Sequence, residues 1–272
     1  MLYANQKPRV SIIMGAYNVS AIPVFEAAIE SVLHQTMEEF ELIICDDGST
    51  DQTWETLNKF AKRDARIKLL QNMENKGLAA TLNHCLKYVR GDLIARQDAD
   101  DFSRLDRLQK QAEFLELHPE VGFVGSNVKL WDEKGVWGER IFPTYPQPED
   151  FLYTMPFVHG ALMFRKDALM VVNGYRVAKE TRRAEDYDML MRMYSQGIRG
   201  ANLSEFLYEF CENHATQKRR KYCYRIDEAV VRWKGFWGLG LMPKGIAYVV
   251  KPLIAGMLPA SVLREIKKYR NY

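Results

Sequence analysis

What the chain lacks narrows its function before any motif is considered. Its 272 residues include four cysteines, Cys45, Cys85, Cys211 and Cys223, and none of them forms a CxxC pair. Neither zinc nor a disulfide framework is indicated, and in a reducing compartment these thiols serve as small core or surface groups. No GxGxxG occurs, and no GxxxxGK followed by Ser or Thr, so neither glycine-rich loop that cradles phosphate through backbone N–H groups is available. The segment from Met1 to Pro8 has no apolar run behind a basic start; a secretory leader is not expected, and a cytoplasmic location follows. Runs of the roughly 18 to 20 apolar residues that a spanning helix needs are missing too, because Pro243, Pro252 and Pro259 interrupt the most apolar stretch. No linker, internal repeat or low-complexity segment divides the chain, whose 47% apolar content suffices for a large core.

What is present alternates. Arg9 to Met14 and Phe40 to Cys45 are short apolar runs rich in β-branched residues, and Ile22 to Gln35 between them spaces its apolar positions like a helix. The pattern repeats: a helix capped at Ser49 or Thr50 and running to about Arg63, a strand over Arg66 to Leu70, a helix over Lys76 to Val89, and a strand over Asp92 to Gln97. Such alternation predicts an α/β fold with a doubly wound, mostly parallel sheet. A helix from Arg104 to Leu117 leads into a mixed region with short strands near Val121 to Val124 and Val128 to Trp131. A Pro-rich loop from Pro143 to Pro148 is expected to cover a site, and a helix from Ala184 should stop at Gly197.

Open sheets of this kind bind ligands beyond the carboxyl ends of their strands, and both acidic clusters fall there. Asp46-Asp47-Gly48-Ser49 follows the second strand, and Asp98-Ala99-Asp100-Asp101 follows the fourth. Acids at i and i+2 on a strand end point the same way, so Asp98 and Asp100 can close on one divalent cation. A cation of that kind neutralises a diphosphate in place of the missing glycine-rich loop, which suggests a nucleotide-linked metabolite as ligand.

Taken in order, Val10 to Asn18, Asp46 to Asp51, the Asp98 to Asp101 segment and Ala184-Glu185-Asp186-Tyr187-Asp188 resemble the family 2 inverting glycosyltransferases of the GT-A fold. Over roughly the first 215 residues the chain is similar to the branch that builds bacterial polysaccharides and lipid-linked oligosaccharides. The resemblance implies a GT-A-like sheet with an acceptor-side mixed region and a C-terminal helical tail. Its domain would be residues 1–215, with a nucleotide-binding half at 1–125 and an acceptor half at 126–215, followed by a basic extension at 216–272. It further implies that Ala16, Tyr17 and Asn18 meet the donor, with Tyr17 stacked on uracil, and that Asp47 accepts from the base N–H. Asn75, Lys76, Gly77 and Asn83 would hold base, ribose or phosphates. Asp98 would lie near ribose and diphosphate, and Asp100 with Asp98 would ligate Mg²⁺ or Mn²⁺, with His214 as a further candidate ligand. Relatives often read Tyr-Arg-x-His there, whereas this chain has Tyr208-Glu209-Phe210-Cys211-Glu212-Asn213-His214. Asp186 matches the general base, with Glu185, His159 and Gly160 on the acceptor side.

The implied activity is transfer of a sugar from a UDP-sugar, with inversion, to a saccharide or lipid-linked saccharide in surface polysaccharide synthesis. A sugar nucleotidyltransferase also gathers acids around a cation, but needs a basic glycine-rich loop that Gly15-Ala16-Tyr17-Asn18 does not supply. A phosphatase with an aspartate nucleophile would carry that acid on the first strand, and a non-catalytic binding module is the third alternative.

The tail has a different character. From Thr216 to Tyr272 there are thirteen Lys or Arg against three acids, a balance of +10, which leaves −7 of the net +3 for the preceding residues. Lys218-Arg219-Arg220-Lys221 and the mixture of Trp233, Phe236, Trp237 and Tyr248 with Lys234, Lys244 and Lys251 suit a segment lying on an anionic membrane surface. Packing against the catalytic domain or a second copy in a homo-oligomer is the other expectation. Nucleic acid is disfavoured, since no recognition fold accompanies the charge.

Overall fold

The structure, a computed structural model, describes residues 7–20, 24–212 and 222–257. Four strands, β1 (Val10–Ala16), β2 (Phe40–Asp46), β3 (Ile67–Gln71) and β4 (Leu93–Arg96), alternate with helices α1 (Phe25–Leu33), α2 (Thr53–Arg63) and α3 (Leu78–Leu86). They pair in parallel, as the alternation predicts, and stand in the order β3-β2-β1-β4. The short β5 (Phe102–Ser103) and α4 (Arg107–Leu117) lead to β6 (Val121–Asp132), which turns into β7 (Gly135–Arg140). Then come α5 (Asp150–Tyr153), β8 (Met163–Arg165), α6 (Lys166–Val171), α7 (Glu185–Ser195) and β9 (Arg199–Cys211). The sheet continues from β4 through antiparallel β8 to β6, β9 and β5, giving the mixed second half.

Period-2 alternation sorts the strand residues onto two faces. Ile13, Ile43, Ile94, Phe123 and Phe164 join the core with α3, α6 and α7, while Ile12, Met14, Leu42, Ile44, Leu93 and Ala95 join α1, α2 and α4 in the other. Each such side chain stabilises the fold by roughly 1.5–3 kcal/mol on burial.

Two differences from the sequence reading, and the seating of the Pro-rich loop, have physical causes. The two short strands expected at 121–124 and 128–131 are one strand of 12 residues, β6, carried through Gly125-Ser126-Asn127 by register shifts against β9. Gly125 fits there because the Asn202 side chain lies 2.5 Å from where a Cβ would stand. The Pro-rich loop is pinned by its carbonyls: those of Pro143 and Thr144 accept from Asn202 and that of Pro146 accepts from the Tyr194 hydroxyl, which fixes it to β9 and α7. Finally, the described part of the basic extension, residues 222–257, is not a separate strip. Helix α8 (Tyr222–Gly238) packs on α7, and Val231 and Phe236 are wholly buried in the α7 core cluster with Leu241. Gly235 permits this approach, since a Cβ would run into Met191. The boundary expected at 215/216 therefore cuts through one continuous core. A further helix, α9 (Ile246–Met257), packs on α8, and the basic run 218–221 lies outside the described residues.

Candidate active site

The carboxyl ends of β2, β1 and β4 lie side by side, and each leads into one of the expected segments. After β1, Tyr17 is 45% exposed, an apolar ring free to meet a planar ligand. Asn18 adopts φ 50°; its Oδ1 accepts the Thr50 N–H at 2.9 Å and its own N–H donates to Ser49 Oγ at 2.9 Å. Its side chain thus clasps the β1 loop to the β2 loop, and Ala16 adds a carbonyl that accepts the Asp47 N–H.

Asp47 is buried and serves as the hub of the next loop. Oδ1 accepts from Asn72 Nδ2 (2.7 Å) and the Lys76 N–H (2.9 Å), and Oδ2 accepts from the Gly77 N–H (2.8 Å). A carboxylate has about four lone-pair sites, so a base N–H would be an additional contact. Gly48 at φ 70° and Gly77 at φ 83° allow the two loops to meet; a Cβ on Gly48 would clash with the Glu74 main chain. Asn75 and Lys76 stand exposed on this loop. Asn83 differs from expectation: its Nδ2 donates to the Tyr175 carbonyl (2.7 Å) and its Oδ1 accepts the Tyr175 N–H (3.0 Å). Both ends of that amide tie α3 to the loop before α7, which gives Asn83 a structural role and leaves one N–H and one lone pair beside it.

Beyond β4 the acids separate into distinct environments. Asp98 Oδ1 pairs with Arg96 Nη2 at 2.5 Å, and the Asp98 N–H donates to the Tyr208 hydroxyl at 3.1 Å. Asp100 has its carboxyl pushed up to about 6, by burial first and then by the charge of Asp98. Asp101 is fully buried; its Oδ1 accepts the Cys211 N–H at 2.7 Å, anchoring β9, and its Oδ2 has no partner. Gly160 lies against this group, since a Cβ would stand 2.7 Å from Asp98 Oδ2 and closer still to the Tyr208 hydroxyl.

The first turn of α7 brings up the second set of acids. Asp186 Oδ1 accepts the Tyr187 N–H at 2.7 Å. Burial raises the Asp186 carboxyl while main-chain N–H donors and Arg96 oppose the rise, so the helix start moderates rather than reverses the desolvation. Glu185 is pushed up to about 8 by burial and then by Asp186, and its Oε2 has no partner. Like charges side by side oppose each other's ionisation, and Glu185, pushed up furthest, favours keeping its proton at neutral pH. His159 Nε2 shares a hydrogen bond of 2.8 Å with the Tyr175 hydroxyl, and burial together with Arg96 holds its imidazole neutral.

Four residues that carry no motif signal organise this centre. Arg96 is wholly buried between the acids of β4 and those of α7. Arg107 is buried too; it donates to Gln97, Ser103 and the carbonyls of Arg96 and Gly160, with its guanidinium 4.9 Å from the Tyr208 ring centroid. Tyr175 and Tyr208 supply the hydroxyls already named. Only Arg96 could have drawn notice beforehand, as a cation closing the apolar run Leu93-Ile94-Ala95. His214 lies outside the described residues.

The donor set fits a hard divalent cation in one way. Asp98 and Asp100 supply carboxylate oxygens, and burial together with the neighbouring charge of Asp98 disfavours an uncompensated carboxylate at Asp100. Among the described residues no group of three or more His, Cys, Asp or Glu is placed to hold an ion. Such a set suits Mg²⁺ or Mn²⁺ completed by phosphate oxygens, and does not suit a cage built from protein alone.

The model of glycosyl transferase family 2 matches residues 11–172, which spans β1 through the acids of β4 to the end of α6. The chain belongs to that family. It is 43% identical over 98% of its length, and 95% of the relative's, to EpsE of Bacillus subtilis (strain 168), described as a glycosyltransferase. It is 31% identical to WfaP of Escherichia coli, a UDP-Glc:alpha-D-GlcNAc-diphosphoundecaprenol beta-1,3-glucosyltransferase, over 71% of this chain and 73% of WfaP. Its fold matches that of S. aureus TarS 1–349 in complex with UDP-GlcNAc, with TM-score 0.69 and 20% identity over 92% of this chain and 71% of that one. The family 2 protein is thus a glycosyltransferase with a GT-A-like, mostly parallel sheet, which sets aside the nucleotidyltransferase, phosphatase and binding-module alternatives.

Proposed function

We propose that this family 2 glycosyltransferase moves a sugar from a UDP-sugar to a saccharide or lipid-linked saccharide, with inversion and with a divalent cation, in surface polysaccharide synthesis. The observation that carries the reading is the convergence of two acid sets, Asp98 with Asp100 just beyond β4 and Glu185 with Asp186 on α7, around one buried arginine. The first set suits a diphosphate with its cation and the second suits an acceptor hydroxyl. The names of WfaP, with its UDP-Glc donor and diphosphoundecaprenol-linked acceptor, and of the TarS complex support the donor and acceptor classes.

Asp186, ionised while Glu185 keeps its proton, takes the proton of the acceptor hydroxyl as that oxygen bonds to the anomeric carbon. The bond from that carbon to the diphosphate oxygen breaks on the opposite face, and the electron pair leaves with UDP. Asp98 and Asp100 would hold the cation, which when bound supplies charge neutralisation for the departing diphosphate. Tyr17 offers its ring to the base, while Asn18 and Asp47 hold the two loops that frame it. Glu185, as a neutral acid, can donate a hydrogen bond to the acceptor.

We place this activity in the cytoplasm at an anionic membrane surface. Among the described residues no helix is long and apolar enough to cross a membrane. The outer side of α8 instead exposes Tyr222, Ile226, Trp233 (46%) and Trp237 (60%), and +10 of charge lies in residues 216–272. Basic residues next to anionic lipid contribute about 1 kcal/mol each. Co-sedimentation with phosphatidylglycerol vesicles should fall several-fold in Trp233→Ser/Trp237→Ser, and equal binding by that variant would remove α8 from the membrane reading.

The central test incubates the protein with a panel of UDP-, GDP- and dTDP-sugars, Mn²⁺ and a diphosphate-linked acceptor. Release of UDP with an inverted anomeric linkage is expected. Turnover confined to GDP- or dTDP-sugars would refute the donor class, and a retained linkage would refute Asp186 as the base in a single displacement.

A further inference from the structure

We propose that His84 is a positioning residue for the donor's base: through Asn72 it fixes the direction of the Asp47 carboxylate, and with it the preference of the site for uracil over cytosine. This role rests on the nucleotide-sugar reading of the site and deepens it by adding a residue that acts through two others.

Three segments meet at this point. Asp47 follows β2, Asn72 follows β3 and His84 lies on α3. Asn72 Nδ2 donates to Asp47 Oδ1 at 2.7 Å and to Thr81 Oγ1 at 3.2 Å, while Asn72 Oδ1 lies 2.9 Å from His84 Nδ1. The donors and acceptors available fix every direction in this relay. A carboxylate only accepts, so the amide turns its NH₂ to Asp47 and its oxygen to His84. That oxygen accepts in turn, so His84 Nδ1 carries a hydrogen, and protonation of the ring would leave the bond intact. Cys45 Sγ, 3.6 Å from the same nitrogen, can share that hydrogen as a weak acceptor. Thr81 gives its own hydrogen to the Gly77 carbonyl at 3.0 Å, which leaves its oxygen to accept from Asn72. Asn72 is buried, and its main-chain N–H donates to the Asp46 carbonyl at 2.8 Å. The imidazole is braced as well, with its ring centroid 5.8 Å from that of Tyr88.

The consequence falls on Asp47. Its Oδ1 accepts from Asn72 and the Lys76 N–H, whereas Oδ2 accepts from the Gly77 N–H, so the lone pair left for a ligand is on Oδ2. Uracil brings a ring N–H to such an oxygen. Cytosine brings a lone pair at the same ring nitrogen and is repelled. Without the His84 donor, the buried Asn72 oxygen has lost its partner, which favours rotation of the amide. Rotation sets oxygen against oxygen and turns the Asp47 carboxylate away from the base.

The test is calorimetric titration of UDP and of CDP, each with Mn²⁺, into the wild-type protein and three variants. The wild type should prefer UDP by at least about tenfold, the worth of one hydrogen bond to a charged group. His84→Leu should weaken UDP binding by about that factor and leave CDP binding nearly unchanged, which collapses the preference. His84→Asn, whose amide nitrogen can take the place of Nδ1, should restore it. Asn72→Ala, which cuts the relay at its centre, should match His84→Leu, and it decides the matter if His84→Leu does not fold. A preference retained in His84→Leu or in Asn72→Ala would overturn the inference. A loss in His84→Asn as deep as in His84→Leu would overturn it too, because the effect would then belong to the packing of the ring. Equal binding of UDP and CDP by the wild type would do the same while leaving a diphosphate site intact, and failure of the wild type to bind either nucleotide would sink the nucleotide-sugar reading together with this one.

Discussion

Glu185→Gln should make the protein more stable, and only above mildly acidic pH. Glu185 lies beside Asp186 in the first turn of α7, buried, with Oε2 unpartnered. Burial and then the Asp186 charge push its carboxyl from 4.5 to about 8. A folded pKa above the unfolded one means that the folded state binds the proton more tightly. The associated stability is fully present below about pH 4.5, and is lost progressively as pH rises through about 8. At 1.36 kcal/mol per unit the full window amounts to about 5 kcal/mol. Sharing of the proton with Asp186 and relaxation of the site reduce this to an effect on the order of 2 kcal/mol. The glutamine keeps the shape and never ionises, so it removes the loss. At two to four degrees per kcal/mol for a chain of this size class, Glu185→Gln should melt roughly 4–8 °C above wild type near pH 8, and level with it near pH 5. Calorimetry of both proteins at the two pH values decides the matter. A variant that melts at or below wild type near pH 8, or one with the same offset at both pH values, would refute a protonated Glu185 beside an ionised Asp186.

Asp186→Asn should lower turnover by about 10²- to 10⁴-fold with UDP affinity retained, and unchanged turnover would exclude Asp186 as the base. Gly160→Ala places a methyl group against Asp98 and the Tyr208 hydroxyl. It should cost about 1–3 kcal/mol of stability and, by displacing Asp98 by about 1 Å, reduce turnover roughly 10²-fold; normal kinetics would mean that Asp98 need not be held tightly. Gly235→Val drives a branched side chain into Met191 where α8 crosses α7, and should lower the melting temperature of the whole domain in one transition. If α8 melts separately with the domain unaffected, the shared core is wrong.

The sequence made some of this legible and hid the rest for identifiable reasons. The β1 to β4 half and α7 could be read directly, because period 2 and period 3.6 are local properties: Ile12, Ile13, Leu42 and Ile43 alternate faces on adjacent strands whatever lies far away. The acids at the strand ends could be read too, since position at a carboxyl edge follows from topology. Helix α8 was half legible. Its aromatic residues divide between Phe236, buried on α7, and Trp233 with Trp237, exposed with ring centroids 6.2 Å apart, and only the partner helix decides which side turns inward. Arg96 could be noticed at the end of its apolar run, but its burial could not be read. A cation at a strand end reads as solvent-facing, whereas this one is wholly buried, with Asp98 as its ion-pair partner and Tyr175 and Tyr208 brought up from distant segments. Local patterns report which surfaces exclude water, whereas the ion balance of a site is set by groups that meet only in the folded chain. In this enzyme that balance is what holds Glu185 toward its protonated form and Asp98 against Arg96, and neither state belongs to a residue taken alone.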